Sequence, residues 1–422
     1  MLNSLGTPVL GAVNAATYQR ILPAGPVAKV LGLAVALSLA SAGSAQAGSY
    51  DAIQYFASVG FNHDSNLFRL PDDSPGYGGV RDDTSRSVTA GVAFDQTYGR
   101  QQITAQAQAS RVNFSHFSVL DYNGTDGRAN LNWHLGNHLD GTAGATYAET
   151  LAPYTDVSTN DRNLRLEQRE YATVNWNFHP SWRARAGWTH SRFHYDLLSQ
   201  AYNNHTDDNG EAGVDYLVSS GSSIGLQVGK LKRNYDVLRS VNGQQVDADS
   251  DQTDLKLKVV WRATQVTTVQ FLGGHARRSY SSLNERDSSG FNARLIGSTM
   301  IDGKISLNAN IWREFSGVES TVFSYAQNTG ASLTAGWDLS AKLRATADAK
   351  YLQRRFEGLL ASRVAEGLRD TTNTYTAGLT YTPLPLISLN ASLFREGRTG
   401  IALLGSGSYH ANGASVTVNL QY

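Results

Sequence analysis

Apolar and polar residues alternate from residue 51 to residue 422, in segments of about ten residues or more. In residues 342–351, for example, every odd position is apolar and every even position is polar, and residues 128–135 show the same pattern. Successive side chains of a β-strand point to opposite faces, so this period indicates strands with one apolar and one polar face. Helical periodicity is not sustained anywhere. The sequence therefore predicts an all-β chain.

Two kinds of connection separate the predicted strands. Tight-turn signals recur about every forty residues, near Gly99, Gly136-Asn137, His179-Pro180, Ser220-Gly221, Thr264, Asp302-Gly303, Ser340 and Pro383-Leu384-Pro385. Longer polar loops alternate with them, near 69–83, 117–124, 152–166, 197–207, 237–250, 281–288, 316–322, 357–370 and 398–408. Eight turns and nine loops predict eighteen strands, with sixteen as the alternative. Short turns on one side and long loops on the other are typical of a transmembrane, antiparallel, up-and-down β-barrel with short periplasmic turns.

Composition narrows the possible classes of protein. Charged residues are 17% of the 422 residues, below the roughly 25% of ordinary globular proteins. The absence of cysteine excludes disulfides, thiolate metal sites and cysteine nucleophiles. Basic and acidic residues number 36 each, so the chain is not a polycation. We expect no nucleic-acid partner and no cofactor.

The first 47 residues have the pattern of a secretory signal peptide. Arg20 and Lys29 precede the apolar run 30–40, and the small-residue sequence Ala45-Gln46-Ala47 follows. The run is shorter than the roughly 20 apolar residues that a spanning helix needs, which disfavours a membrane anchor. We expect cleavage before Gly48 and a single barrel domain over residues 48–422.

Aromatic residues cluster where predicted strands approach the short turns. A soluble sandwich or a β-solenoid would also alternate, but neither requires large rings at one end of every second strand. At a membrane interface, the apolar body of such a ring contacts hydrocarbon while its polar edge contacts headgroups and water. The predicted aromatic girdle comprises Tyr98, Trp133, Trp176, Phe178, Tyr216, Trp261, Trp337, Tyr381 and Tyr422.

Seven predicted ascending strands carry a cation eight residues after an apolar residue near the start of the strand, on the same face. At about 3.3 Å per residue and a tilt of about 40°, eight residues climb about 20 Å, close to the height of the apolar band. We predict a ring that pairs with phosphates of the outer-leaflet lipid, lipopolysaccharide. Simple snorkelling of strand-end cations is the alternative. The ring comprises Arg111, Arg192, Lys232, Arg277, Arg313, Arg355 and Arg395.

Charged residues also occupy the polar faces of the strands. A Lys or Arg that faces lipid at mid-depth costs roughly 2–4 kcal/mol, so these residues are expected to face a wet lumen. The alternatives are an open channel and a packed plug in which the charges neutralise each other. The lumen candidates are Arg128, Arg169, Arg183, Arg185, Asp254, Lys256, Lys258, Arg344, Asp348 and Lys350.

Motifs of enzymes and metal sites are weak here. Residues 221–225 match the Gly-x-Ser-x-Gly string, but they lie at a predicted strand-to-strand turn, whereas a nucleophile elbow joins a strand to a helix. His134 with His138, and His190 with His194, have a spacing that presents two ligands only on a helix. We expect no catalytic residues, no enzymatic activity and no metal.

The predicted loop near 237–250 contains three alternate aspartates that are candidate calcium ligands. Asp247, Asp249 and Asp251 could bind Ca²⁺ or form a solvated acidic loop, and the Gly and distal Glu of a true calcium loop are missing.

The last strand, residues 414–422, alternates strictly and ends on Tyr422. It resembles the C-terminal signal by which the barrel-insertion machinery recognises outer-membrane barrels, in which phenylalanine is the commoner last residue. We expect that machinery as a partner.

A short motif follows the first strand: Asp64, Ser65, Asn66, Leu67, Phe68 and Arg69, ahead of Leu70-Pro71. At the amino-terminal hairpin of a barrel of this size, the motif resembles the EpsL-type outer-membrane proteins of exopolysaccharide biosynthesis, which are grouped with the β-barrel porins. The resemblance implies passage of extracellular polysaccharide across the outer membrane, with periplasmic export components as further partners. It implies no catalytic or binding residues.

Together these features predict a conduit for exopolysaccharide in the outer membrane of a Gram-negative bacterium. The alternatives are a diffusion porin for small sugars or anions and a closed structural or adhesive barrel.

Overall fold

The computed structural model describes residues 52–155, 159–241, 244–282, 287–317, 325–357, 368–400 and 407–422. The predicted signal peptide, residues 1–47, lies outside the described residues, as do parts of the loops predicted near 152–166, 237–250, 281–288, 316–322, 357–370 and 398–408.

The described chain is almost entirely β-strand. The strands are β1 (Ile53–Asp64), β2 (Asp83–Tyr98), β3 (Gln101–Phe114), β4 (Tyr122–Leu135), β5 (Leu139–Leu151), β6 (Leu164–His179), β7 (Trp182–Tyr195), β8 (His205–Leu217), β9 (Ser223–Tyr235), β10 (Arg239–Val241), β11 (Gln244–Val246), β12 (Ser250–Arg262), β13 (Thr268–Tyr280), β14 (Ser288–Ile301), β15 (Ile305–Gly317), β16 (Tyr325–Ser340), β17 (Leu343–Glu357), β18 (Arg369–Leu384), β19 (Ile387–Thr399) and β20 (Tyr409–Gln421). Two short 3₁₀ helices, Ser118–Leu120 and Leu198–Asn203, lie in loops. A membrane-crossing helix is not found among the described residues.

Eighteen of these strands form one closed, antiparallel barrel. Each strand pairs with the next along the chain, and β9 pairs with β12 across the small hairpin β10–β11. Closure comes from β1, which pairs with β2 on one side and with β20 on the other, with Val59 opposite Val418. The predicted barrel and its count of eighteen strands are confirmed, and the alternative of sixteen is excluded.

All eight predicted short turns are found, each of two to five residues. The turn between β14 and β15 has a left-handed backbone, with φ angles of 49° at Asp302 and 66° at Gly303. This conformation explains why the turn contains Asp and Gly. Successive positive φ values match the twist of a tight hairpin, and Gly and Asp tolerate them.

The sequence analysis missed one element. Residues 237–250, predicted as a polar loop, contain the hairpin β10–β11, in which Arg239 lies opposite Val246. A signal was present, because Asn242-Gly243 between the two strands is a dipeptide that favours a two-residue hairpin turn.

The register assigns each residue to one face of the barrel. Leu226, Leu255 and Leu295 are exposed although apolar, as expected for an outer surface that contacts lipid. Eight of the nine predicted girdle residues are exposed on this face near the short turns, and Trp133 is half-buried there. A second set of exposed rings lies nearer the long loops and was not predicted: Trp188, Phe291, Tyr351 and Tyr375.

We expect the two faces of β15 to respond oppositely to a new charge. Ala309→Arg places a cation in the apolar band and should lower the free energy of unfolding by about 2–4 kcal/mol. Asn308→Arg places the same group in the lumen and should cost about 1 kcal/mol or less, because Asn308 loses only its hydrogen bond to Ser298. Urea unfolding in micelles, followed by tryptophan fluorescence, measures both; equal costs would contradict the assigned faces.

Candidate functional site: the lumen wall and its extracellular cover

The structure places all ten predicted lumen residues on the inner face of the barrel. Arg128, for example, lies opposite Gln106 in the register and donates to its Oε1 at 2.7 Å. Arg344 donates to Asp338 at 2.7 Å, and Asp348 accepts a hydrogen bond from Thr334 at 2.6 Å. Their role in transport stays a prediction.

The largest concentration of charge crosses β7, β8, β9 and β12. In one cross-strand row, Arg183 lies opposite Asp215, Asp215 opposite Gly225, and Gly225 opposite Lys258. The next row runs from Arg185 through Gly213 and Gln227 to Lys256. We call the four cations of these rows, Arg183, Arg185, Lys256 and Lys258, the basic patch.

Two arginines of the basic patch share one fully buried carboxylate. Arg183 Nη2 donates to Asp215 Oδ2 at 2.8 Å, and Arg185 Nε donates to Asp215 Oδ1 at 3.0 Å. Arg185 Nη1 also donates to Gln227 at 2.6 Å, and Gln227 in turn donates to Glu211 at 2.8 Å. A charge with two charged partners and further hydrogen bonds meets the condition under which a buried ion pair is tolerated.

The two lysines differ in their partners. Lys256 Nζ donates to Asp254 at 2.8 Å, two residues away on the same strand. Lys258 is half-buried and makes no hydrogen bond or ion pair with any other described residue. Four cations therefore face three carboxylates, Asp215, Asp254 and Glu211, and Lys258 is the cation left over.

Glycines make room for the large lumen side chains. A Cβ at Gly213 would lie 2.9 Å from Arg185 Nη2 and 2.5 Å from the carbonyl oxygen of Leu226. In the same way, the absence of a Cβ at Gly225 leaves space for the Asp215 side chain, and its absence at Gly330 leaves space for Trp312. The side chains can therefore lie along the wall instead of projecting into the bore. The predicted neutralisation between lumen charges is present, but these partners lie on the same strand or on nearby strands along the wall.

The wall formed by β18–β20 and β1–β4 is mainly amide and hydroxyl. Asn132 donates to Gln102 at 3.3 Å, and the Ser392 and Ser415 hydroxyls lie 2.7 Å apart. Asn130 accepts from the Tyr171 hydroxyl of β6 at 2.9 Å. This sector and the basic patch give the lumen one side made mainly of amides and hydroxyls and one side with a small excess of positive charge.

Three long loops form a hydrophobic cluster at the extracellular end, which we call the extracellular cover (residues 65–82, 115–121 and 152–155). Its centre is Phe68, which is 1% exposed. Edge-to-face contacts join Phe68 to Tyr77, Phe117 and Tyr154, with ring centroids 4.8–4.9 Å apart. Leu120 completes the buried core.

The family-like motif of residues 64–69 builds this cover. Asp64 accepts from the Asn66 backbone N–H at 2.9 Å and from Arg69 Nη1 at 2.8 Å. The buried Asn66 amide donates to the carbonyl oxygens of Leu70 (2.8 Å) and His410 (3.0 Å). Arg69 adopts a left-handed φ of 54°, which these contacts hold in place.

The cover is fixed to the inner wall of β19 and β20. Arg69 Nε donates to Glu396 at 2.9 Å and its guanidinium lies over the ring of Phe394. Arg398, whose side chain is fully buried, donates to Asp370 at 2.6 Å and to the Thr155 carbonyl oxygen at 2.6 Å. β19 and β5 are six strands apart around the barrel, so this last contact spans a third of the circumference.

A further tie between the cover and β20 depends on pH. The His410 backbone N–H donates to Asp72 at 2.9 Å, and the His410 ring lies 2.7 Å from the other carboxylate oxygen. Partial burial raises the pKa of Asp72, but the hydrogen bonds from His410 lower it more, so the net pKa is below the ordinary value. This stabilisation is complete above the ordinary Asp pKa of about 4 and is lost as the pH falls through the lowered pKa.

The seven predicted ring cations lie on the outer face, but they do not form a level ring. Counted from the first residue of its strand, Arg395 lies eight positions along and Arg355 twelve. The difference arises because the sequence analysis counted from the first clear apolar residue, which does not mark the start of every strand. Arg313 donates to Gln327 at 2.9 Å, and Arg111 lies 3.6 Å from Asp121. Binding of lipid phosphate stays a prediction.

The motifs of enzymes and metal sites do not assemble into a site. Ser223, the central serine of 221–225, begins β9 after a strand-to-strand turn. Among the described residues, no group of three or more potential ligands could hold a metal. Asp247 accepts from the Asp249 backbone, Asp249 from the Tyr235 backbone, and Asp251 pairs with Lys230 at 3.2 Å.

A closed barrel with an apolar outer face, two aromatic belts and a polar lumen is a transmembrane β-barrel of the outer membrane. No family model and no curated protein matches the sequence. The fold is similar to Pseudomonas aeruginosa OccK2 (OpdF), with 11% identity, a TM-score of 0.48 and 88% of this chain and 98% of that chain covered. It is also similar to the outer-membrane protein OpdK (12%, 0.46, 88% and 99%) and the siderophore receptor PirA (11%, 0.41, 89% and 81%) of the same organism. At these values the similarity concerns the barrel architecture alone.

We expect Gly213→Ala to strain the basic patch. The new methyl meets the Leu226 carbonyl oxygen and Arg185, so the free energy of unfolding should fall by about 1–3 kcal/mol. Gly229→Ala is the control, because its methyl meets Asp254 only at 3.6 Å, and it should change stability by about 0.5 kcal/mol or less. Urea unfolding of both variants tests this; equal stabilities would contradict the glycine argument.

Phe68→Ala should loosen the extracellular cover and leave the barrel intact. Removal of a buried phenylalanine costs about 3–5 kcal/mol, so amide hydrogen exchange in residues 65–82 and 115–121 should accelerate strongly, while exchange in the strands stays slow. Val119→Ala, which alters an exposed side chain of the same loops, is the control. Unchanged exchange in Phe68→Ala would show that Phe68 does not hold the loops together.

Proposed function

We propose that this protein is an outer-membrane channel for small hydrophilic solutes, with a preference for hydroxyl-rich molecules that carry a carboxylate. The observation that carries the proposal is the composition of the lumen wall. The sector of β18–β20 and β1–β4 offers amides and hydroxyls, which can replace the hydration of a polyol. The basic patch offers the ammonium group of Lys258, which makes no hydrogen bond or ion pair with another described residue.

The charges of the basic patch favour selectivity for anionic solutes over tight binding of them. Asp215 and Asp254 already compensate Arg183, Arg185 and Lys256, so the excess of positive charge is small. A modest excess on one wall raises the local concentration of anions without trapping them. Passage through a channel requires this balance, because a solute must both enter and leave.

Export of polysaccharide is the main function that the sequence analysis predicts, through the resemblance of residues 64–69, and a diffusion porin is its alternative. In this structure those residues build the extracellular cover, and Asn66 and Phe68 are each 1% exposed. The cover lies on the inner wall at the end where a polymer would leave, which favours small solutes over a wide polymer. The export hypothesis stays a prediction, tested by glycan analysis of a strain that lacks the protein.

A matched pair of probes tests the proposed function. In proteoliposome swelling, gluconate should enter faster than expected from its size, relative to sorbitol, which has the same carbon skeleton without the carboxylate. Lys258→Gln should lower the gluconate-to-sorbitol ratio by about twofold to threefold, the effect of a charge interaction of about 0.5 kcal/mol. Lys230→Gln, on the outer face of β9, should leave the ratio unchanged.

The outcomes separate the candidate functions. Equal ratios in the parent protein and Lys258→Gln would remove the carboxylate preference while leaving a neutral channel. Entry of neither solute, together with no conductance in planar bilayers, would favour a closed structural or adhesive barrel. Blockade of conductance by the cell's own surface polysaccharide would favour export.

A further inference from the structure

A shallow groove of about 450 Å³ lies on the outer face of the barrel, across β16, β17, β18 and β19. Its floor includes three alanines that form one cross-strand row: Ala335 lies opposite Ala347, and Ala347 lies opposite Ala377. Leu393 ends this row on β19. Adjacent strands are about 4.8 Å apart, so the row of methyl groups makes a trough about 10 Å long between taller side chains.

The next row toward the extracellular side carries the polar end of the groove. Tyr375 and Arg395 lie directly opposite each other on β18 and β19, and both line the groove. Tyr375 belongs to the second aromatic belt and is 53% exposed. The groove is therefore apolar at its floor and carries a hydroxyl and a guanidinium at one end.

The position along the strand fixes the depth of this polar end. Arg395 lies eight residues beyond Ile387, the first residue of β19 after a short turn. Eight residues of a strand tilted by about 40° climb about 20 Å, which is close to the top of an apolar band of about 25 Å. The guanidinium thus lies near the headgroups of the outer leaflet, and the alanine row lies below it among the acyl chains.

The donors of Arg395 are free of hydrogen bonds to other described residues. Within the described part of the chain, Arg395 makes no hydrogen bond or ion pair, whereas Arg313, at the same eight-residue position on β15, donates to Gln327. A guanidinium with free donors above an apolar trough is complementary to a phosphate that is joined to hydrocarbon chains.

We propose that this groove binds one acyl chain of a phosphorylated glycolipid of the outer leaflet, lipopolysaccharide, while Arg395 pairs with its phosphate. The long loops place this end of the barrel at the cell surface, and lipopolysaccharide is the phosphate-bearing lipid of that leaflet. The alanine row removes the bulk that would keep a chain away from the backbone, so the chain gains close contact along its length.

Native mass spectrometry of the full barrel, titrated with purified lipid A in detergent, tests the proposal. Arg395→Gln should weaken the first bound lipid A at least fivefold, because it removes the charged partner of the phosphate. Ala347→Leu should do the same by filling the groove. The controls are Lys230→Gln, which removes an outer-face cation that lies outside the groove and outside the predicted ring, and Ala107→Leu, which adds the same bulk to an exposed outer-face alanine on β3.

Both controls should bind lipid A within twofold of the parent protein, and all four variants should keep the parent conductance, which separates this site from the lumen. Equal binding by Arg395→Gln and Lys230→Gln would overturn the site. Competition by inorganic phosphate, together with unchanged lipid A binding in Ala347→Leu, would show that Arg395 is only an anion site and would overturn the groove. Equal affinity for phosphatidylglycerol would show an unselective lipid contact and would also overturn the assignment to lipopolysaccharide.

Discussion

The structure depends on complete pairing of backbone hydrogen-bonding groups around a ring. An N–H or C=O group without a partner costs several kcal/mol in hydrocarbon, so a strand in the membrane must be paired on both sides. β1 meets this requirement by pairing with β2 and with β20, the last strand of the chain. The carboxyl-terminal strand therefore closes the barrel, and a shift of one residue in its register would exchange the lipid face and the lumen face.

Closure also determines how the polar groups of the lumen are accommodated. The inner wall brings together residues distant in sequence, such as Arg185 and Gln227, and glycines such as Gly213 let their side chains lie along it. This charge compensation makes the wall sensitive to substitution, because replacement of Arg183 or Arg185 would remove one of the two charged partners of the fully buried Asp215 carboxylate. The wall is thus polar and charged while the charges remain satisfied.

Local patterns in the sequence were sufficient for much of this architecture. Alternation predicted the strands, and turn residues such as Gly99 and Asp302-Gly303 predicted all eight short connections, because both signals act within a few residues. The outward position of the girdle residues followed from the same period. The second aromatic belt and the uneven heights of Arg355 and Arg395 did not, because height depends on where each strand begins after its turn.

The sequence by itself determined the barrel and which side chains face lipid or lumen, since a period of two residues fixes the face of every position. Only the tertiary structure decided that residues 64–69 hold the extracellular cover to β19 and β20, that Lys258 makes no hydrogen bond or ion pair with another described residue, and that the alanines of β16, β17 and β18 form one trough. These features join residues tens to hundreds of positions apart, and their contacts exist only once the register of the closed barrel is set.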